Sequence, residues 1–232
     1  KIKTQTVKTI VIDEADRMLD IKNFSSVKKI IKGIQTGKQV LLYSASISNM
    51  TIETAKEIIN EPEIIKAEAL NKVPLTIHHL YIISAREEKI NVLRNLVNFL
   101  KPEKLMVFLK QSDKMDRFTK ETKYHGLKAG GLYGSLEKEE RKKMIDDFRK
   151  GKIQILFATD IAARGLDIKG ITHIVNFDLP VDDKAYLHRC GRTGRNNSEG
   201  FTISIVTNDE KNILFKIGKK LGIDIIDQKI KL

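Results

Sequence analysis

Along this chain two apolar patterns alternate. Short runs rich in β-branched residues, such as Thr9-Ile10-Val11-Ile12, give way to longer stretches in which apolar positions repeat at helical spacing. The short runs predict strands at about 8–12 and 39–43, then at 78–83, 105–109, 129–133, 153–158, 172–177 and 201–206. The amphipathic stretches predict helices at about 24–33, 49–59, 86–100, 112–123, 137–149, 182–191 and 209–220, with Asp182 as an N-cap after Pro180. A short apolar segment lies near 63–66, and the end from Ile223 to Leu232 is too short to classify. Strands that alternate with helices belong to parallel sheets with crossover connections. The expected class is therefore α/β: a complete doubly wound parallel sheet in the later part of the chain, preceded by a partial layer whose sheet would leave an edge exposed.

Periodicity fails between Ala67 and Leu75, a stretch that contains Pro74. This places a linker at 67–75, between a first domain at 1–66 and a second at 76–232. Charge changes across the same stretch. Residues 1–70 carry 11 Lys/Arg against 9 Asp/Glu, whereas residues 71–232 carry 31 against 21, so the later part holds +10 of the net +12. An excess of that kind suits a polyanion and adds counterion-release affinity for nucleic acid. Many of the lysines also fit ordinary solvated helix faces, as in Glu137-Lys138-Glu139-Glu140-Arg141-Lys142-Lys143. No run of 18 or more apolar residues is present to span a bilayer, and the first residues lack the apolar core of a signal peptide. The single cysteine, Cys190, cannot form an internal disulfide and reads as a helix-packing residue. A soluble, monomeric, cytoplasmic protein with no membrane partner is expected.

In open parallel sheets ligands bind beyond the carboxyl ends of the strands, which draws attention to polar clusters that follow apolar runs. Ile10-Val11-Ile12 is followed by Asp13-Glu14-Ala15-Asp16. One carboxylate there could hold Mg²⁺ through water while its neighbour orients an attacking water, or the acids could simply face a helix N-terminus. Ser44-Ala45-Ser46 ends a second run and by itself reads as an N-cap. Phe157-Ala158 opens into Thr159-Asp160-Ile161-Ala162-Ala163-Arg164-Gly165-Leu166-Asp167, where Thr159 and nearby amides could meet phosphates and Asp167 a sugar hydroxyl. The last cluster, His188-Arg189-Cys190-Gly191-Arg192-Thr193-Gly194-Arg195, sets three arginines among two glycines. Arg192 and Arg195, three apart, could share one face and fork onto the same phosphate.

In this order, the four clusters resemble motifs II, III, V and VI of the DEAD-box helicases of superfamily 2. Val107-Phe108 stands where the family's fourth motif begins, and Asn176-Phe177-Asp178-Leu179-Pro180 is similar to another family phrase. The resemblance implies two RecA-like lobes, the first represented only by its last part. ATP and Mg²⁺ would bind in the cleft between them and RNA across both. It also implies roles. Asp13 would position Mg²⁺, Glu14 the hydrolytic water and Asp167 the ribose, with Arg192 and Arg195 as arginine fingers. Asp16, Ser44, Ser46 and His188 would couple the lobes. Thr159, Arg164, Gly165, Arg141 and Lys138 would face the RNA backbone.

Three departures from the family pattern stand out. Ser46 replaces the usual Thr, and Lys138 replaces a Gln three residues before Arg141. No Gly-x-x-x-x-Gly-Lys-Ser/Thr precedes the acidic strand; Gly33 to Lys38 has the wrong spacing and follows it. Without amides and a lysine to cradle the phosphates, the chain alone is expected not to hydrolyse ATP, and it reads as part of a longer motor. A DNA helicase of the same superfamily is one alternative. A non-hydrolysing RNA-binding or protein-docking module is the other.

Overall fold

A computed structural model describes residues 4–34, 37–44, 47–65, 73–110, 113–195 and 198–228. The chain divides into two compact units, Lys1–Glu68 and Ala69–Leu232.

In the first unit, β1 (Thr9–Ile12) and β2 (Gln39–Leu42) pair in parallel, joined by α1 (Ala15–Met18) and α2 (Phe24–Lys32) and followed by α3 (Asn49–Lys56). Ser48 caps α3 by accepting the Thr51 N–H at 3.1 Å. The core is small, built on Ile12, Ala15 and Ile31. Val11, Tyr43, Ile64 and Ile65 stay exposed, as expected of a two-stranded layer with too few strands to bury both faces.

The second unit holds a seven-stranded, wholly parallel sheet in the order β5-β6-β4-β7-β8-β3-β9. The strands are β3 (Ile77–Ile83), β4 (Leu105–Phe108), β5 (Ala129–Leu132), β6 (Ile155–Ala158), β7 (His173–Asn176), β8 (Gly200–Val206) and β9 (Ile226–Asp227). The helices are α4 (Lys89–Leu100), α5 (Met115–Tyr124), α6 (Lys138–Arg149), α7 (Asp160–Ala163), α8 (Asp183–Cys190) and α9 (Asn208–Leu221). Central strands are apolar throughout because both faces are covered. On β4, Leu105 and Val107 pack on the face shared with α4 and α5, and Met106 and Phe108 on the face shared with α6 and α7. A third cluster joins β3 to α8 and α9 through Tyr81, Tyr186 and Leu214.

This is the α/β doubly wound class read from the pattern, with differences at its margins. The unclassified tail contributes β9, which pairs with Leu80 and Tyr81 of β3. Thr159 opens not into an irregular loop but into α7, a single turn too short to show periodicity. Of the expected linker at 67–75, residues 67–72 lie outside the described set, and Val73 is buried in the cluster around Ile77 and Tyr186. Val73, an apolar residue beside Pro74, therefore packs into the core of the second unit.

Candidate functional site

The second unit gathers its polar residues around one buried arginine. Thr159 follows β6, and its hydroxyl accepts the Ala162 N–H at 3.3 Å to start α7. The next residue, Asp160, receives a bidentate bond from Arg189 of α8, Nε to Oδ1 at 2.7 Å and Nη2 to Oδ2 at 2.8 Å. Arg189 Nη1 donates to Asn176 Oδ1 at 2.9 Å and to the Asp178 carbonyl at 2.7 Å. The guanidinium, 1% exposed, lies 4.8 Å from the Phe108 ring centroid. A buried guanidinium is tolerated only when its charge and its donors are matched, as they are here.

The network continues inward. Asn176 Nδ2 donates to Ser204 Oγ at 3.2 Å, Ser204 bonds to Tyr186, and the Tyr186 hydroxyl lies 3.0 Å from His79 Nδ1. A polar chain thus crosses the apolar face from β3 to α7. Burial, with a smaller contribution from His78, lowers the His79 pKa to about 4. Burial also raises the Tyr186 hydroxyl and pushes the Cys190 thiol up to about 12, so that thiol is inert packing.

Arg192 and Arg195 lie one helix away from Thr159. Helix α8 starts beyond the carboxyl end of β7, where Asp182 accepts the Ala185 N–H at 2.7 Å, and runs back along the sheet to its C-cap at Gly191. The Thr193 hydroxyl then donates to the carbonyls of Ile171 at 2.7 Å and Thr172 at 3.1 Å, immediately before β7. Gly194 has φ +65°, and a Cβ there would stand 2.5 Å from Ile77, so no larger residue fits. Arg192 Nη1 donates to the Leu166 carbonyl at 2.8 Å, and Arg195 Nη1 pairs with the Asp167 carboxylate.

Two expectations are corrected here. The end of the arginine cluster, from Thr193 to Arg195, lies at the amino ends of the strands, because it follows a helix that runs antiparallel to them, whereas Arg189 stays near their carboxyl ends. The two arginines meet on consecutive residues, 166 and 167, and not through helical periodicity, because the helix stops at Cys190.

At the Thr159 end, the first turn of α6 is fixed by a capping box between Glu137 and Glu140. Arg141 Nη2 donates to the Ala162 carbonyl at 2.8 Å, so α6 and α7 are joined, while Lys138 is exposed. Arg164, His188 and Arg192 line a small cleft of about 110 Å³ that also touches Asp160. Arg164 Nη1 is buried there without a hydrogen-bond partner. Gly165 is exposed with φ +64°.

In the first unit, the ends of β1 and β2 are tied by the Ala15 N–H, which donates to the Tyr43 carbonyl at 2.9 Å. Glu14 stands between β1 and α1 in the left-handed region, φ 51° and ψ 46°. For a residue with a Cβ that costs about 1–2 kcal/mol. Its N–H donates to Asp13 Oδ1 at 2.8 Å, and Arg17 lies 3.8 Å from its carboxylate. Asp13 is exposed, and Asp16 and Ser44 are half-buried; Ser46 lies outside the described residues. Among the described residues no three His, Cys, Asp or Glu side chains form a metal cage.

Residues 1–55 match the family model "DEAD/DEAH box helicase", and residues 88–197 match "Helicase conserved C-terminal domain". The C-terminal domain of the DEAD-box protein Dbp5 superposes with TM-score 0.62 and 33% identity, over 66% of this chain and 89% of that one. The chain belongs to the DEAD-box helicase family. Its RecA-like fold follows from the same comparison. S. cerevisiae Dbp5 bound to RNA and ADP BeF3 matches 98% of this chain and 61% of its own with TM-score 0.88 and 30% identity. The DEAD-box ATP-dependent RNA helicase CshC of Bacillus cereus is 36% identical over 230 residues, 99% of this chain and 59% of that protein. The chain thus spans about three-fifths of that relative's length.

In this DEAD-box protein the sequence pattern pointed to Arg192 and Arg195 and missed Arg189, Asp160 and Asn176, which hold the site together. Three arginines in one run look alike as charges. The available signal was spacing: Tyr186, Arg189 and Cys190 repeat at i, i+3 and i+4, the inward stripe of α8, and all three are buried.

Proposed function

We propose that the chain carries nucleotide-sensing and RNA-contacting parts of an ATP-dependent RNA helicase, and that the parent protein opens RNA duplexes or remodels RNA–protein complexes. The observation that supports this most directly is the meeting of Arg192, Arg195 and Asp167 on one loop. Asp167 and Arg195 form an exposed pair, which costs little to open. Asp167 can release its arginine and accept a ribose hydroxyl, while Arg195 and Arg192 turn to the terminal phosphate. Bound ATP with Mg²⁺ supplies the phosphoanhydride and the metal charge that neutralises its oxygens. Asp13 suits the metal because it is exposed and engages only one carboxylate oxygen, with the Glu14 N–H. Glu14, set apart by its backbone, orients water. Asp16, Ser44 and His188 relay nucleotide state between lobes, with residues 1–66 as the last part of the first lobe and 76–232 as the second.

RNA takes the other end. Lys138, Arg141 and Thr159 face phosphates near the carboxyl end of β6, and Arg164 and Gly165 shape the loop that follows. If about three phosphates are neutralised, the log–log salt slope for a single strand is roughly −2. The 232 residues contain no Gly-x-x-x-x-Gly-Lys-Ser/Thr, so by themselves they are proposed to bind RNA weakly without turning over ATP. Titration of single-stranded RNA against salt, with ATPase measured on this chain and on its full reading frame, tests the reading. RNA-stimulated hydrolysis in the full frame only, lost with Glu14→Gln, supports it. Hydrolysis by neither, or a flat salt response, would overturn it.

A further inference from the structure

The cleft lined by Arg164, His188 and Arg192 is more cationic than its own walls can neutralise. Asp160 is the single acid among the lining residues. That carboxylate keeps its charge, but Arg189, clamped to it by two hydrogen bonds, also lines the cleft and carries the opposite charge. Three guanidinium groups thus stand against one carboxylate, an excess of two before His188 is counted. The remaining lining side chains are apolar.

Arg164 marks where a ligand would be held. Its side chain is half-buried, and its Nη1 is fully buried without a hydrogen-bond partner. Folded chains rarely leave a buried donor unmatched, least of all one on a charged group. A water molecule satisfies the donor but not the charge. The cleft, about 110 Å³, is several times the roughly 30 Å³ that one water takes in the liquid. It is also well below the volume of about 300 Å³ at which pockets for larger organic ligands begin. A small oxyanion fits, and a whole nucleotide does not.

We propose that this cleft is a site for free inorganic phosphate, with Arg164 as its principal ligand and His188 and Arg192 as further donors. A phosphate group carries roughly 1.5 to 2 negative charges at neutral pH and offers several strong acceptor oxygens, which matches both the excess of two and the unmatched donor. Guanidinium groups suit such an anion because their donors form a planar fork. A carboxylate brings one charge and leaves part of the excess standing. An RNA phosphodiester also brings one, on a chain that a cleft of this size cannot admit. The source of the ion rests on the reading of the parent as an ATPase, in which water cleaves ATP to ADP, phosphate and a proton. Phosphate that has left the nucleotide then has a place on this unit before it escapes. Arg164, which the resemblance sets on the RNA backbone, serves the product instead.

The test uses the 232-residue chain without nucleotide or RNA. A negative result therefore leaves the helicase reading standing, and an inactive full reading frame leaves the site standing. Sodium phosphate is titrated at constant ionic strength while the side-chain N–H resonance of Arg164, identified by its loss in Arg164→Met, is followed by nuclear magnetic resonance. A saturable shift is expected with phosphate and with sulfate, and binding about tenfold weaker or less with acetate. Phosphate should also raise Tm, as any ligand of the folded chain does, and Arg164→Met should abolish that rise. In phosphate-free buffer the same variant should melt no lower than the parent chain, because it removes a donor that has no partner. Lys216→Gln, which removes an equal charge from the exposed side of α9, should leave the affinity within about twofold. Absence of a saturable shift overturns the proposal. So does an equal response to acetate, or a melting temperature of Arg164→Met that is several degrees lower in phosphate-free buffer, which would make Arg164 a structural residue. If oligo-uridine moves the resonance and phosphate does not, the cleft serves RNA and the proposal is wrong.

Discussion

Replacing Arg189 by Met isolates the contribution of the buried clamp, since Met keeps an unbranched apolar stem and removes every donor. Four hydrogen bonds to three partners disappear. Asn176 Oδ1 loses a donor in a dry setting, at about 1–3 kcal/mol for an acceptor left unsatisfied, and the half-buried Asp178 carbonyl loses less. Asp160, whose side chain is 35% exposed, keeps part of its hydration, which reduces its share of the penalty. Breaking one side of a buried pair costs about 3–5 kcal/mol in total. In a domain of this size each kcal/mol moves Tm by about 2–4 °C, so the second unit should melt on the order of 10 °C lower. Near-ultraviolet circular dichroism during heating reports its tyrosines. Arg189→Lys should recover little, because one ammonium cannot reach Asp160 by two bonds and Asn176 by a third. Arg189→Met combined with Asp160→Asn should cost less than the two single changes together. A loss below about 1 kcal/mol for Arg189→Met, or full rescue by Lys, would refute the clamp.

The His79 network sets a pH dependence. The unfolded chain protonates His79 near its ordinary 6.5 and the folded chain near 4, so its stabilising contribution is complete above pH 6.5 and is lost as pH falls toward 4. The loss is on the order of 3 kcal/mol, and His79→Gln should flatten that limb in urea titrations at stepped pH. In the full reading frame, Arg195→Ala should cut RNA-stimulated kcat by on the order of 10³ while changing stability by no more than about 1 kcal/mol, because its pair with Asp167 is exposed. A matched loss of nucleotide affinity with kcat intact would make Arg195 a ground-state ligand. Hydrogen exchange should be faster at 9–42 than at 105–206, since a two-stranded sheet buries little; slower exchange there would count against the first unit's marginal core.

Much of the architecture was legible because strand and helix periods differ so clearly. Val107, Phe157 and Val175 sit in runs that can only be buried strands, and the capping box of Thr207 and Glu210 marks the start of α9. What the pattern concealed is tertiary. Strand order puts β4 between β6 and β7, and no local signal states it. Arg189 is indistinguishable from Arg192 by charge, yet one lies in the core and the other on a loop. Helix α7 is one turn long, below the length at which periodicity exists. The expectation that all the candidate residues lie at the carboxyl ends of the strands failed for Arg195, since the pattern shows that a helix follows β7 but not where its far end lies. Glu14 shows the same limit, because a left-handed φ leaves no trace in residue type when the residue is not glycine.

The return of α8 along the sheet gives the second unit a spine. Eight helical residues span about 12 Å, and Arg189 rivets the spine to α7 and to the loop after β7. Close-packed interiors are stiff and pass displacement on with little loss. A load applied at Thr159 is therefore felt at Asp167 as rotation of a solid. Within the unit, Thr159 and Asp167 therefore keep their separation, like two points on one rigid arm.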